Sequence, residues 1–99
     1  MEVVILSGAD SDLDEIFALL DETSGGEKFL QALDRKLELL RSFPELAPRA
    51  KISAVRRTRI GKSAYGLFYT IEGKRLMIIA LQDLRQDPKT IARIIRRRL

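Results

Sequence analysis

The sequence predicts an α+β fold in the order β-α-α-β-β-β-α: an antiparallel four-stranded sheet with a helical hairpin packed on one face and a C-terminal helix. Three observations carry this. Two apolar stripes at helical spacing precede Pro44, the period changes to two beyond Lys51 where glycine-bearing turns divide the chain, and a helical stripe returns after Asp87-Pro88. At 99 residues the chain is expected to form a single domain over residues 1–99, because half of it could not bury enough apolar surface to fold alone.

Glu2 to Leu6 is short, rich in Val and Ile, and stops at Ser7-Gly8, which reads as a strand. Ser7 with Asp10 three residues on resembles a capping box, and Ala9, Leu13, Ile16, Phe17 and Leu20 then recur at helical spacing, predicting a helix over about residues 8–22. A second box at Ser24 and Glu27 opens the next helix. Its stripe of Phe29, Leu30, Leu33, Leu37 and Leu40 runs until Phe43-Pro44 breaks it. The short connection between the two helices predicts an antiparallel hairpin, which would return the chain to its starting end and make the second strand run opposite to the first.

From Lys51 to Ile60 apolar and polar residues alternate, and Gly61-Lys62-Ser63 supplies a turn, so the second strand is read across this stretch. Ala64 to Ile71 is dense in aromatic and β-branched residues, Glu72-Gly73-Lys74 holds a hairpin glycine, and Arg75 to Leu81 is almost continuously apolar. These three strands form a meander. Asp87 followed by Pro88 is an N-cap with Pro in the first turn, and Ile91, Ile94, Ile95 and Leu99 give the last helix its apolar side.

Composition narrows the chemistry. With 45% hydrophobic and 32% charged residues the chain is globular rather than disordered, and with neither Cys nor His it lacks the residues of serine–histidine, cysteine–histidine and histidine-based zinc hydrolases. No metal site and no cofactor are expected. The apolar run Val3 to Leu6 follows an acidic residue and no 18-residue apolar stretch occurs, so a cytoplasmic protein without signal peptide or membrane partner is expected. Charge is divided along the chain: residues 1–48 hold 4 Lys/Arg and 11 Asp/Glu, a net −7, whereas residues 49–99 hold 14 and 3, a net +11. A basic face built from the second half is the reading, suited to nucleic acid or an acidic protein segment. The alternative is that the two halves attract each other and leave ordinary solvated surfaces.

The order of elements comes with local matches: Ala9…Asp12-Leu13…Ile16, then Leu39-Leu40-Arg41-Ser42-Phe43-Pro44, the basic Val55-Arg56-Arg57, Tyr65 to Ile71, and Leu76 to Leu81 followed by Arg85-Gln86-Asp87-Pro88. In these the chain resembles toxins of the ParE/RelE superfamily from bacterial type II toxin–antitoxin systems. The resemblance implies an intracellular toxin held inactive, as a hetero-oligomer, by a cognate antitoxin. It implies one of two actions, poisoning of DNA gyrase in ParE-like members or ribosome-dependent cleavage of mRNA in RelE-like members. A metal-independent ribonuclease needs a base for the 2′-hydroxyl, an acid for the leaving oxygen and cations for the phosphorane charge. Many relatives place a His near the end of the fourth strand, where this chain has Gln82 or Asp83, and the tyrosine that ribonuclease members often carry near the C-terminus is missing. The reading therefore leans to a ParE-like, non-hydrolytic toxin. A ribonuclease using Arg59, Arg85 and Tyr65 is the alternative, and a non-toxic module that binds a partner or nucleic acid is the third.

The residues expected to bind a target or phosphate are Arg56, Arg57, Arg59, Lys62 and Arg85, since guanidinium forks and ammonium groups suit phosphate and carboxylate. Tyr65 and Tyr69 share a strand face and read first as core. Leu30, Leu39 and Ile91 are expected as spare apolar positions for the antitoxin. Arg93, Arg96, Arg97 and Arg98 match a helix C-terminus, where cations complement the dipole; that solvated reading is preferred over DNA binding by counterion release.

Overall fold

The computed structural model describes residues 1–20 and 25–99; Ser24 of the second capping box and the expected end of the first helix at residues 21–22 lie outside the described residues. The elements are β1 (Glu2–Ile5), α1 (Ser7–Leu20), α2 (Gly25–Ser42), β2 (Arg56–Arg59), β3 (Tyr65–Glu72), β4 (Arg75–Asp83) and α3 (Pro88–Arg98), in the predicted order. Asp87 caps α3 as expected, its carboxylate accepting from the Lys89 N–H at 2.9 Å. The Ser7 box does not form in the predicted way. Ser7 is already helical, and the first turn closes with the Asp10 N–H donating to the Leu6 carbonyl.

The four-stranded sheet has the order β1-β4-β3-β2, and it is mixed rather than all antiparallel. β2–β3 and β3–β4 are antiparallel, but β1 lies parallel to β4 with Ile5 opposite Ile78. Strand β2 consequently runs in the same sense as β1, not against it. The cause is a third traverse that the hairpin argument omitted: residues 43–55 carry the chain back along the sheet edge before β2 begins. Arg49 makes an antiparallel bridge to Arg56, and the Arg57 N–H donates to the Pro48 carbonyl. The alternation from Lys51 to Val55 is therefore a loop and not strand. Lys51 and Ser53 have φ of 63° and 49°, left-handed positions that no strand contains, and they turn Ile52 and Val55 to the same side.

Each sheet face carries its own core. Helices α1 and α2 cover one face, where Ile16, Phe29, Leu33 and Leu40 meet Leu67, Tyr69, Leu76 and Ile78. Helix α3 and the 50–55 loop cover the other, where Ile52, Val55, Ile91 and Ile95 meet Phe68, Ile79 and Ala80. This explains the near-continuous apolar run of β4, a central strand buried on both sides. A bulge assists it: Phe68 faces Ala80 and Tyr69 faces Ile78, so Ile79 has no partner. The extra residue shifts the phase, putting Ile79 and Ala80 together in the α3 core and returning Leu81 to the α1 side.

Beyond Ile78 the β1 edge of β4 has no strand to pair with, because β1 has ended. Side chains take its place. The Asp12 carboxylate on α1 accepts from the Leu81 N–H at 2.9 Å and from Gln82 Nε2 at 3.2 Å, while Arg98 at the end of α3 donates to the Ile79 carbonyl at 3.0 Å. The two also form a fork, with N–O distances of 2.7 and 2.9 Å. Asp12 is 6% exposed as a residue. Gly8 makes room for the guanidinium, since a Cβ there would lie 2.7 Å from Arg98 Nε.

Two predictions follow from these contacts. Arg98→Met, which leaves a buried carboxylate unpaired, and Asp12→Asn should each cost about 3 kcal/mol in urea unfolding. The double variant should lose clearly less than the two single losses added together; simple additivity would mean that the groups act independently. Tyr69→Phe should cost about 1 kcal/mol, because its hydroxyl donates to the Pro44 carbonyl at 2.6 Å and that acceptor would be left without its donor.

Candidate functional site

The cations expected to form one site fall into three places. Arg56 and Thr58 share a face with their cross-strand partners Tyr69 and Leu67, towards the helices, whereas Arg57 lies across from Phe68 on the α3 side. Arg56 is half-buried and bound within the chain, donating to the Ala47 carbonyl at 2.6 Å and the Glu45 carbonyl at 3.1 Å. With Tyr69 it clamps the returning segment to the sheet. Burial pushes the Tyr69 phenol above its ordinary pKa, more than the backbone hydrogen bond at Ala47 and the nearby Arg56 charge lower it.

Arg59 ends β2 and folds over its own turn. Its Nε donates to the Ser63 carbonyl at 2.6 Å and its terminal nitrogen to the Lys62 carbonyl at 3.3 Å. That turn sits close against α2: Gly61 has a φ of +56°, and a Cβ on it would lie 2.9 Å from the Ala32 methyl. The close approach divides the gap between α2 and the turn into two grooves. One, of about 390 Å³, brings Lys62, Tyr65 and Arg85 together with Lys28, Phe29 and Ile60. The other, of about 350 Å³, holds Arg59 with Arg35, Lys36, Leu39 and Thr58.

Within the first groove the Tyr65 ring and the Arg85 guanidinium are already engaged. The Tyr65 ring stands edge-on to Phe29, with centroids 5.5 Å apart and planes at 78°. Arg85 grips Asp83 through Nε at 3.0 Å and a terminal nitrogen at 2.8 Å, and its backbone N–H adds a third bond at 2.9 Å. These bonds, the side-chain ones first, hold the Asp83 carboxyl at about 2, so it is a poor proton acceptor.

Two features escaped the sequence reading. Apart from Arg41, which pairs with Glu38, helix α2 is sorted by charge around its axis: Lys28, Arg35 and Lys36 line the turn side with Ala32 and Leu39, while Glu27, Asp34 and Glu38 fall on the opposite flank with Leu30. A helical projection carries this signal, but a net charge per half does not. Asp12 was the other, and the sign was a carboxylate on the buried stripe between Ala9 and Ile16. Of the three expected partner contacts, Leu30 and Leu39 are 40% and 39% exposed, but on different flanks of α2. Ile91 is only 5% exposed, packed under α3 in the second core, and offers no surface to a partner. Among the described residues no cluster of His, Cys, Asp and Glu could hold a metal ion, and no helix is long and apolar enough to cross a membrane.

The Asp83–Arg85 contact makes a checkable pH statement. A carboxylate whose folded pKa is lowered contributes stability that is in place above its unfolded value, near 3.9, and is lost as the pH falls towards 2. Carboxyl carbon NMR should show the Asp83 midpoint near 2 and, in Arg85→Ala, a return towards the ordinary carboxylate range. An unchanged midpoint in that variant would remove Arg85 as the cause.

Comparison with known proteins agrees with this arrangement of elements. Residues 3–88 match the family described as the ParE toxin of the type II toxin–antitoxin system, parDE. The chain is similar in structure to one solved as part of the "Chromosomal ParDE TA system from P. aeruginosa", with a TM-score of 0.62 and 22% identity over 84% of this chain and 95% of that one. No curated protein matches it in sequence. With α1, α2, β2 to β4 and both α2 grooves inside the matched span, the chain belongs to the ParE toxin family of type II toxin–antitoxin systems.

Proposed function

We propose that the chain is a growth-inhibiting toxin that acts by binding rather than by cleaving, poisoning DNA gyrase in the cytoplasm until a cognate antitoxin neutralises it in a hetero-oligomer. The observation that carries this is the engagement, within the chain, of three of the arginines expected to meet a phosphate. Arg56 and Arg59 are spent on backbone carbonyls, and Arg85 is spent on Asp83. Asp83 itself, lowered to about 2 by Arg85, is a poor acceptor for the proton that RNA cleavage must remove. Membership of the ParE family supports the same reading, since ParE-like toxins are the gyrase-directed branch of the resemblance.

For the antitoxin, the groove beside α2 is the favoured contact. It offers half-exposed Leu39 as an apolar anchor between Arg35 and Lys36, which suits a segment carrying both apolar and acidic side chains. Leu30 provides a second anchor on the other flank of the helix. One observation favours the ribonuclease reading instead: Lys62, Tyr65 and Arg85 do line a common groove.

A supercoiling assay with purified, antitoxin-free protein distinguishes the two. Accumulation of cleaved gyrase–DNA complexes is expected. Folded, growth-inhibiting protein that leaves gyrase untouched but cleaves mRNA on ribosomes, and loses that cleavage in Arg59→Ala, Arg85→Ala or Tyr65→Phe, would establish the ribonuclease. Folded protein that does neither and leaves growth unaffected would make the chain a binding module.

A further inference from the structure

Helix α3 carries Lys89, Arg93, Arg96, Arg97 and Arg98 and no carboxylate. Ile91 and Ile95 turn into the sheet, and Arg98 is drawn away to Asp12. The remaining four cations follow an i, i+4, i+7, i+8 spacing, which places them in one stripe directly opposite the buried isoleucines. All four are exposed. None takes part in an ion pair among the described residues.

The stripe does not stand alone. The loop that packs Ile52 and Val55 against Ile91 and Ile95 exposes Lys51 on the same side of the sheet. Arg57, also exposed, borders a small cavity with Pro88 and Ile91 there. The carboxylate nearest in sequence, Asp87, is used in capping the helix. Exposed Asp10 and Asp14 lie on α1, which covers the other face, and Glu15 of α1 comes near α3 at its Arg98 end, where the two line one cavity. The α3 face is thus basic with no exposed acidic side chain on its helix, whereas the hairpin face carries both signs.

We propose that this α3 face binds the phosphate backbone of duplex DNA without reading its sequence. A protein partner would need apolar anchors, and the stripe has none. A single strand would need exposed rings for its bases to stack on, but Phe68, the aromatic residue of this core, is 2% exposed. Phosphate contacts require only cations. Lys89 and Arg97 are about 12 Å apart along the helix axis, comparable to the width of the major groove, so the ends of the stripe reach phosphates of both strands.

Fluorescence anisotropy of a labelled 20-base-pair duplex of arbitrary sequence (about two turns of DNA) tests this with the purified protein alone, so its outcome is separate from whether gyrase is the target. Four to six phosphate contacts predict an affinity loss of roughly 100- to 1,000-fold between 50 and 200 mM salt. Arg93→Gln/Arg97→Gln should weaken binding at least about ten-fold and flatten the salt slope by about two. The equal charge change on α2, Arg35→Gln/Lys36→Gln, should leave binding within about two-fold, as expected of cations that touch no phosphate. Lys89→Gln/Arg96→Gln repeats the test on the other half of the stripe, should the first variant unfold by circular dichroism. Equal losses from the α2 and α3 variants would assign the binding to net charge and overturn the proposal. So would tighter binding to single-stranded DNA or duplex RNA, or no binding at 50 mM salt.

Discussion

The fold depends on how the exposed end of β4 is satisfied. A strand longer than its neighbour leaves backbone donors and acceptors facing no ladder, and burying them unpaired is costly. Here a carboxylate from α1 meets the Leu81 N–H and a guanidinium from α3 meets the Ile79 carbonyl, each also meeting the other. One contact thereby completes the sheet and joins the helix layers of its two faces. The same contact makes the last arginine of α3 structural while its neighbours stay in water.

Arginine serves several purposes in this small chain, and residue type alone does not separate them. Arg56 and Tyr69 are cross-strand partners, so their polar tips reach the same returning segment and fix carbonyls at Pro44, Glu45 and Ala47. Arg59 closes its own turn, and Arg85 chelates Asp83. Each of these guanidinium groups finds acceptors inside the chain before any target does. Exposed cations outside the ion pairs gather along one flank of α2 and across the solvent side of α3.

Charge segregation follows from the topology. The first half contributes α1 and the acidic flank of α2 to one face, where Arg56, Arg59, Lys62 and Arg85 of the second half join the basic flank of α2, while α3 and its adjoining loop make the other face basic. Asp12 with Arg98, and Glu2 with Arg75, are where the two halves meet as ion pairs among the described residues. A face of one sign orients a molecule towards partners of opposite charge.

By itself the sequence determined the element order, the α+β class and the capping of α3, because periodicity, turn glycines and Asp87-Pro88 act over a few residues. The core was legible in the same way: Phe29, Leu33 and Leu40 repeat on one side of a helix, and Leu67 and Tyr69 on one side of a strand. The tertiary structure decided the parallel pairing of β1 with β4, since this depends on residues 43–55 traversing the sheet edge, a path set by left-handed turns and distant carbonyl contacts. It also decided which arginines are free. Hydrogen-bond partners are chosen by proximity in space, and Asp12 and Arg98 are 86 residues apart in the chain.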